Sequence, residues 1–216
     1  MKIGKRRILM PDIVFNEQTH EYFVDDKKYP SVTQILDLLT YTEFANIDKG
    51  VLETASRRGT AIHEATENLD YGGYAEVDAE TEPYVQAYMD FSRDYIPDWY
   101  GVEDQVFNKE HGFCGTIDRH GMIGNTPCVL DIKTIGSPNR LTYVKVCLQT
   151  YLYSLCLDYE NPRLFALFLR KDGKYRLFDC RAWWSENMHD QLWQSARDIL
   201  SAYKAIQRIK EKSKED

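Results

Sequence analysis

The sequence predicts one α/β core preceded by a mainly helical N-terminal region, and two observations lead to this class. Several segments repeat apolar residues at helical spacing, as Val32, Ile35, Leu36 and Leu39 do. Between residues 99 and 134, three short apolar runs follow one another with turn residues between them, which is typical of strands. With 216 residues the chain can bury a substantial core in a single domain.

The N-terminal half begins with a predicted β-hairpin, in which IVFN and EYFV are strands and DDKK is a second turn. Four helices are then predicted, namely VTQILDLLT, IDKGVLETASRRG, AIHEATENLD and TEPYVQAYMDFSRDYI. We expect Ser31 to cap the first helix and Gly59 to end the second. Thr60 is expected to cap the third, and Pro97 to stop the fourth.

The C-terminal half predicts the sheet. Its strands are WYGVEDQVFN, FCGTIDRHGMI, PCVLDIKT, RLFALFLR and YRLFDC, the last two joined by a hairpin turn at KDGK. A helix with Ser137 as N-cap and Pro138 in its first position separates the third and fourth strands. A long amphipathic helix is expected from about Ala182. We therefore predict one domain over 1–216, with a hairpin and helices in 1–98 and the sheet core and C-terminal helix in 99–216.

Composition sets limits on location and partners. The sequence is 43% hydrophobic and 28% charged, and it has no apolar run of about 18 residues, so we predict no membrane span. No apolar segment follows the basic start, so we expect no signal peptide and a cytoplasmic location. The net charge of -7 excludes a protein that coats duplex DNA by charge alone, although carboxylates gathered around metal ions inflate such a count.

The five cysteines have no CxxC spacing and lie among apolar residues: Cys114, Cys128, Cys147, Cys156 and Cys180. We interpret them as reduced core thiols rather than as ligands of zinc or of an iron–sulfur cluster.

Three charged residues stand in strand-like sequence, where such residues are disfavoured: Asp118, Asp131 and Lys133. Neighbouring strands lie about 4.8 Å apart, so the two carboxylates can share a divalent metal. Period 2 places Lys133 on the same strand face as Asp131, and the backbone carbonyl of Ile132 is a further candidate ligand. Taken alone, DIK is equally explained by a salt bridge on an exposed strand face.

Two helices carry further candidates. His63 and Glu67 are four residues apart and share a helix face, but the zinc-protease pattern HExxH would need histidine at 67. Lys145, Gln149 and Tyr153 form a polar stripe on an otherwise apolar helix. A surface or core histidine and a partly exposed helix edge are the alternative interpretations.

Four motifs in this order resemble the PD-(D/E)XK nuclease superfamily, in particular its RecB-like exonuclease branch. They are GTAIHEATE (59–67), GTID (115–118), DIKT (131–134) and QTYLY (149–153). YPSVTQIL (29–36) is similar to the opening of phage exonucleases and of the mitochondrial genome-maintenance exonuclease. The resemblance implies a restriction-endonuclease-like αβββαβ core, a mixed central sheet flanked by helices.

The resemblance also implies roles for individual residues. His63, Asp118 and Asp131, with the Ile132 carbonyl, would bind Mg²⁺ or Mn²⁺, and Lys133 would be the catalytic lysine. Gln149 and Tyr153 would hold the active site or the DNA backbone. Further candidates are Glu67 and Glu103 as accessory residues and Arg57, Arg58 and Lys145 as phosphate contacts. Cluster-bearing relatives have one early and three late cysteines, a set absent from this sequence, so we predict no iron–sulfur cluster.

The resemblance implies a metal-dependent DNA exonuclease in phage-type recombination, repair or replication. DNA is the expected partner, together with a single-strand annealing or binding protein, and no membrane is involved. Two alternatives stay open: a structure-specific or nicking endonuclease on the same core, and a catalytically weak DNA-binding recombination partner.

Overall fold

The computed structural model describes residues 12–16, 19–39, 48–188 and 190–213, and it confirms the α/β class. Its strands are β1 (Ile13–Asn16), β2 (Glu21–Val24), β3 (Lys27–Tyr29), β4 (Asp98–Asn108), β5 (Phe113–Ile123), β6 (Thr126–Lys133), β7 (Arg163–Leu169) and β8 (Tyr175–Asp179). Its helices are α1 (Val32–Leu36), α2 (Lys49–Asp70), α3 (Glu82–Tyr95), α4 (Arg140–Ser154), α5 (Cys180–Asn187) and α6 (Leu192–Lys212).

The central sheet is mixed, with the strand order β4-β5-β6-β7-β8. β6 and β7 pair in parallel, whereas the other neighbours are antiparallel. A parallel pair needs a crossover connection, which α4 supplies. The order α3, β4, β5, β6, α4, β7 confirms the expected αβββαβ core.

Helices cover both faces of this sheet. One core joins the sheet to α1, α4, α5 and α6, and a second joins it to α2 and α3. Successive residues of β6 enter different cores, Val129 the first and Leu130 the second, because strand side chains alternate. Asp131 and Lys133 therefore share the face that α4 covers.

The N-terminal strands form a three-stranded antiparallel sheet, which extends the predicted hairpin by β3. The second turn is tighter than DDKK. Within DDKK, only Asp25 and Asp26 have positive φ, at 49° and 61°. This suits a two-residue hairpin turn, and Lys27 is then able to pair within β3. The Tyr22 hydroxyl lies 2.8 Å from that of Thr116 on β5, so this small sheet is attached to the central one.

Ser31 caps α1, as predicted. Its hydroxyl accepts a hydrogen bond from the Gln34 amide at 3.0 Å, and the Gln34 side chain accepts one from the Ser31 amide at 3.1 Å. This reciprocal pair is a capping box. The Cys114 amide also donates to the carbonyl of Pro30 at 2.9 Å, which fixes the start of α1 beside β5.

The predicted break between the second and third helices is wrong, because α2 runs through Gly59 and Thr60. Thr60 does not cap a helix; its hydroxyl donates to the Ser56 carbonyl at 3.2 Å. The cap is Asp48, whose carboxylate accepts from the Gly50 amide at 2.9 Å. A glycine inside a helix costs only about 1 kcal/mol, less than the helix gains by packing against the sheet.

The predicted cap of α4 is also wrong. Asn139, not Ser137, accepts a hydrogen bond from the amide of Thr142, at 2.8 Å, so Pro138 precedes the helix. Asparagine and serine are equally good caps, and spacing alone does not separate two candidates so close together.

The single C-terminal helix predicted from Ala182 is divided into α5 and α6. Asp179 caps α5 by accepting from the Ala182 amide at 3.0 Å. The indole of Trp184 donates to the carbonyl of Asp190 at 3.1 Å, and a buried indole N–H needs such a partner. The chain therefore turns between the helices, which amphipathic spacing alone does not reveal.

Two other predicted boundaries are confirmed. Ile96 ends α3 in a left-handed conformation, with φ 47°, just before Pro97. Gly173, with φ 75°, supplies the turn between β7 and β8.

All five cysteines are free thiols, four of them buried, as predicted for core residues. Among the described residues, no helix is both long enough and apolar enough to cross a membrane. Several predictions concern parts of the chain outside the described residues. They are the basic start (1–11), the first hairpin turn (17–18), Thr40, Ile47 and the end of the tail (214–216).

Candidate metal centre

Side chains of α2, β4 and β5 converge beside the central sheet. The His63 Nδ1 atom lies 3.0 Å from Glu103 Oε1 and 3.9 Å from Asp118 Oδ1. One possible ligand atom from each residue lies within 4.8 Å of the other two. Carboxylate oxygens are the ligands that Mg²⁺ and Mn²⁺ prefer, so this cluster is a candidate metal centre.

The electrostatics of the cluster favour a cation. Burial acts to lower the pKa of His63, but the carboxylates of Asp118 and Glu103 outweigh it and raise that pKa to about 9. Positive charge is therefore stabilised at the point where the three side chains meet. The donor types and the charge of the cluster both fit a divalent metal.

The backbone of β6 fixes the orientation of Asp118. Its Oδ2 atom accepts a hydrogen bond from the Ile132 amide at 2.6 Å, while Oδ1 is the atom nearer His63. One carboxylate oxygen thus anchors the side chain and the other stays directed at the cluster. The carbonyl of Ile132 as a ligand remains a prediction.

Asp131 and Lys133 form a partly buried ion pair beside this cluster. The Asp131 side chain is 1% exposed, and the Lys133 Nζ atom lies 2.9 Å from its Oδ1 and 2.8 Å from its Oδ2. Asp131 Oδ2 is buried and receives no well-directed hydrogen bond from the described residues, so it retains capacity to bind a cation. Asp131 is not one of the three converging residues, and its role as a ligand remains a prediction.

Burial and charge have opposite effects on this pair. Burial raises the pKa of Asp131 to about 6, against the effect of Lys133. Burial acts to lower the pKa of Lys133, but Asp131 and Asp118 outweigh it and raise that pKa above its ordinary value. Lys133 therefore stays an ammonium that can stabilise negative charge.

The α4 helix brings Gln149 and Tyr153, both buried, to the same face of the sheet. Burial raises the pKa of Tyr153 well above its ordinary value, the carboxylates of Asp118 and Asp131 add to this, and a hydrogen bond with Gln149 opposes it. The Tyr153 hydroxyl is therefore neutral. The predicted stripe thus reaches the metal centre through Tyr153.

Gly115, in the GTID motif, is required by the position of Tyr153. A Cβ atom at Gly115 would lie 2.5 Å from Tyr153 Cε1, well inside van der Waals contact. We expect Gly115→Ala to lower the free energy of unfolding by about 1–3 kcal/mol, because the buried ring must shift. Urea denaturation measures this. Gly59→Ala is the matched control, since no atom of the described residues lies within 4 Å of its added Cβ. An equal loss in both variants would contradict the prediction.

Glu103, predicted only as an accessory residue, belongs to the cluster. Its φ of 49° lies in the left-handed region that non-glycine residues seldom adopt, and such strain is concentrated at functional sites. The carboxylate accepts from Arg119 Nη1 at 3.0 Å, through the same Oε1 atom that contacts His63. Arg119 thus positions Glu103.

Arg119 was not among the predicted site residues. Its side chain is fully buried, and it lies 2.5 Å from Asp70 Oδ2 on α2 through Nε. It also donates to Thr66 at 3.0 Å and to the carbonyl of Asp118 at 2.6 Å. A signal for it exists in the sequence, because arginine inside a continuous buried strand must be paired.

The metal centre opens into a cavity of about 1310 Å³. Two residues of the cluster, His63 and Glu103, line it, and the lining also includes Lys133, Ile132, Glu67 and Arg58. Burial raises the pKa of Glu67, and the charge of Glu103 adds to that effect.

The predicted phosphate-binding residues are placed differently from one another. Arg58 lines the cavity and lies 3.2 Å from Glu80. Arg57 is exposed and is not part of the lining. Lys145 lies 3.1 Å from Asp37. The structure therefore brings Arg58, but neither of the other two, to the cavity wall.

Comparisons with known proteins add little to this geometry. No family model and no curated protein matches the sequence. Among solved structures, the chain is similar to one described as the crystal structure of LHK-Exo in complex with dAMP, with 16% identity and a TM-score of 0.41 over 87% of this chain and 94% of that one. A likeness this distant assigns no activity, so the function proposed below rests on the site.

Proposed function

We propose that this protein is a deoxyribonuclease that depends on Mg²⁺ or Mn²⁺ and hydrolyses phosphodiester bonds at DNA ends. The observation that supports this most is the convergence of His63, Glu103 and Asp118, together with the cavity that His63, Glu103 and the Lys133 ammonium line. A cation-binding cluster beside a fixed positive charge suits a reaction in which negative charge develops on a phosphate.

Each residue has a distinct part in this proposal. His63, Glu103 and Asp118 would hold the cation, with Asp131 beside them. A divalent cation bound there lowers the pKa of a water molecule and polarises the scissile phosphate. Lys133, held by Asp131, offsets negative charge on the phosphate and orients the attacking water.

Other predicted residues act around this centre in the same proposal. Tyr153 and Gln149 position the carboxylates, and Glu67 contributes charge at the cavity wall. Arg58 contacts a phosphate of the incoming strand, and its place in the cavity lining supports this role. Burial supports the role of Tyr153 and Gln149. Arg57 and Lys145 are proposed as phosphate contacts outside the cavity.

We also propose that the chain is a member of the PD-(D/E)XK superfamily, of the RecB-like exonuclease branch. The αβββαβ order supports this, as does the placement of the four motifs on α2, β5, β6 and α4. Action in phage-type recombination, repair or replication, a cytoplasmic location and a single-strand annealing or binding protein as partner belong to the same proposal.

The test is digestion of labelled DNA. Linear single-stranded and duplex substrates, labelled at the 5′ or 3′ end, and a closed single-stranded circle are incubated with Mg²⁺, with Mn²⁺ or with EDTA. We expect degradation of linear DNA in either metal and none in EDTA. Asp131→Asn should reduce the rate about 100-fold, because it frees the Lys133 ammonium from its position.

Each other outcome points to a different function. Cleavage of the closed circle would favour an endonuclease on the same core. DNA binding without cleavage in either metal would favour a recombination partner and overturn the proposed enzyme. An undiminished rate in Asp131→Asn would remove the ion pair from the mechanism.

A further inference from the structure

The small N-terminal sheet contributes aromatic side chains to the cavity of the metal centre. Phe15 of β1 and His20, in the turn before β2, line this cavity together with His63 and Lys133. The Phe15 and His20 ring centroids lie 5.8 Å apart. An aromatic pair in a cavity otherwise rich in charged groups suits a ligand that has both charged and aromatic parts.

The Phe15 ring is held in place from behind. Its centroid lies 4.5 Å from that of Tyr22, at an interplanar angle of 31°. Tyr22 is in turn tied to Thr116, through the 2.8 Å contact between their hydroxyls. The position of Phe15 is therefore set relative to β5, the strand that carries Asp118.

The aromatic pair lies in the same cavity as the candidate metal centre. Phe15 and His20 line it together with His63 and Glu103. Through Tyr22, Phe15 is tied to Thr116, which stands two residues before Asp118 on β5. A strand with a phosphate at the candidate metal centre can thus place a base further along at Phe15.

A second cavity, of about 220 Å³, continues from the first at this point. Phe15, His20 and Thr33 line both cavities, and the smaller one extends to Gln34 and Gly115. It provides a recess beside the aromatic rings. A base that turns away from its strand into this recess must be unpaired, because turning it out breaks the hydrogen bonds to a partner base.

We propose that Phe15 and His20 form a stacking site for an unpaired nucleobase of the strand being cleaved, so that the enzyme acts on a single-stranded end. This inference rests on the proposed function. Stacking of a base on an aromatic side chain needs no particular sequence, because every base has a π face. The site therefore selects single-stranded over paired ends without selecting sequence.

The test compares variants at Phe15 on a short single-stranded oligonucleotide. Phe15→Leu keeps an apolar side chain against Tyr22 but removes the ring, and we expect it to raise KM about 5- to 150-fold, the equivalent of the 1–3 kcal/mol of one base–aromatic stack. Phe15→Trp, which again supplies an aromatic ring, should have the KM of the wild type. Val14→Ala, on the opposite face of β1 and 56% exposed, is the matched control and should leave KM unchanged.

An abasic scan locates the base that stacks. Single abasic residues are placed at successive positions from each end of the oligonucleotide. In the wild type we expect one position, or two adjacent ones, to raise KM, and in Phe15→Leu the same substitution should add nothing. Additive losses, or a Phe15→Leu variant as active as Val14→Ala, would overturn the stacking site.

A binding measurement separates this inference from the proposed function. The oligonucleotide carries 2-aminopurine at the position found to stack, or at each position in turn, and is mixed with protein in EDTA. We expect its fluorescence to be quenched by the wild type and not by Phe15→Leu. A wild type that cleaves no DNA would overturn the nuclease while this assay still decides the stacking site, and equal quenching by both proteins would overturn stacking.

Discussion

Asp118→Asn is expected to abolish DNA cleavage while leaving the fold intact. Asparagine has the same size and can still accept the hydrogen bond from Ile132, so β5 and β6 stay joined. The variant removes one of the two negative charges that surround His63. The Asp118 charge, acting through the metal, should stabilise the transition state by about 4 kcal/mol or more. Because each 1.36 kcal/mol changes the rate by a factor of ten, we expect kcat to fall by about 10³-fold or more.

The same variant should lose its thermal response to metal. A ligand present at about 100 times its Kd stabilises the native state by about 2.7 kcal/mol, so Tm of the wild type should rise when Mn²⁺ is added. Asp98→Asn is the matched control, an exposed aspartate at the start of β4. We expect it to keep both the activity and the Tm shift. A Tm shift that survives in Asp118→Asn would contradict the assignment of the metal centre.

Arg119→Met is expected to lower the free energy of unfolding by about 3–5 kcal/mol, because it leaves the Asp70 carboxylate buried without a counter-charge. Asp70, 9% exposed in its side chain, loses the Arg119 Nε atom 2.5 Å from its carboxylate. Glu103 loses the Arg119 Nη1 atom 3.0 Å from its own. Methionine fills much of the same volume, so the loss measures charge more than packing. Urea denaturation gives the free energy from its midpoint and slope.

Two further variants separate the buried network from ordinary ion pairs. Arg93→Met breaks an exposed pair with Asp90, 3.0 Å long, and should cost no more than about 1 kcal/mol. Adding Asp70→Asn to Arg119→Met should recover part of the loss, because it removes the buried charge that has lost its counter-charge. If Arg119→Met were no less stable than Arg93→Met, the network would not stabilise the fold.

The order of elements followed from the sequence because it depends on local patterns. Apolar periodicity and turn residues predicted the five-stranded core, and the Ser31 cap needs only side chains within three positions. The boundaries that differed are those at which local rules favour two positions equally. A glycine such as Gly59 ends a helix only if tertiary packing does not extend the helix beyond it, and Asn139 and Ser137 are equally good caps.

The candidate site divides in the same way. The sequence was enough to select His63, Asp118, Asp131 and Lys133, because strands and helices seldom carry such polar residues in apolar surroundings unless a site needs them. Which of these residues pair could not be predicted, because pairing depends on side-chain directions. The structure sets Glu103 against His63 through a strained backbone and pairs Asp131 with Lys133.

The sequence by itself determined the α/β class, the αβββαβ order and the residue types from which a metal centre is built. Only the tertiary structure decided which carboxylates meet His63, that Arg119 is buried behind Glu103, and that Phe15 reaches the same cavity. These contacts join residues far apart in the chain, such as His63 with Glu103 and Tyr22 with Thr116. Their energies depend on burial and on distances of a few ångströms, which arise only when the sheets and helices pack together.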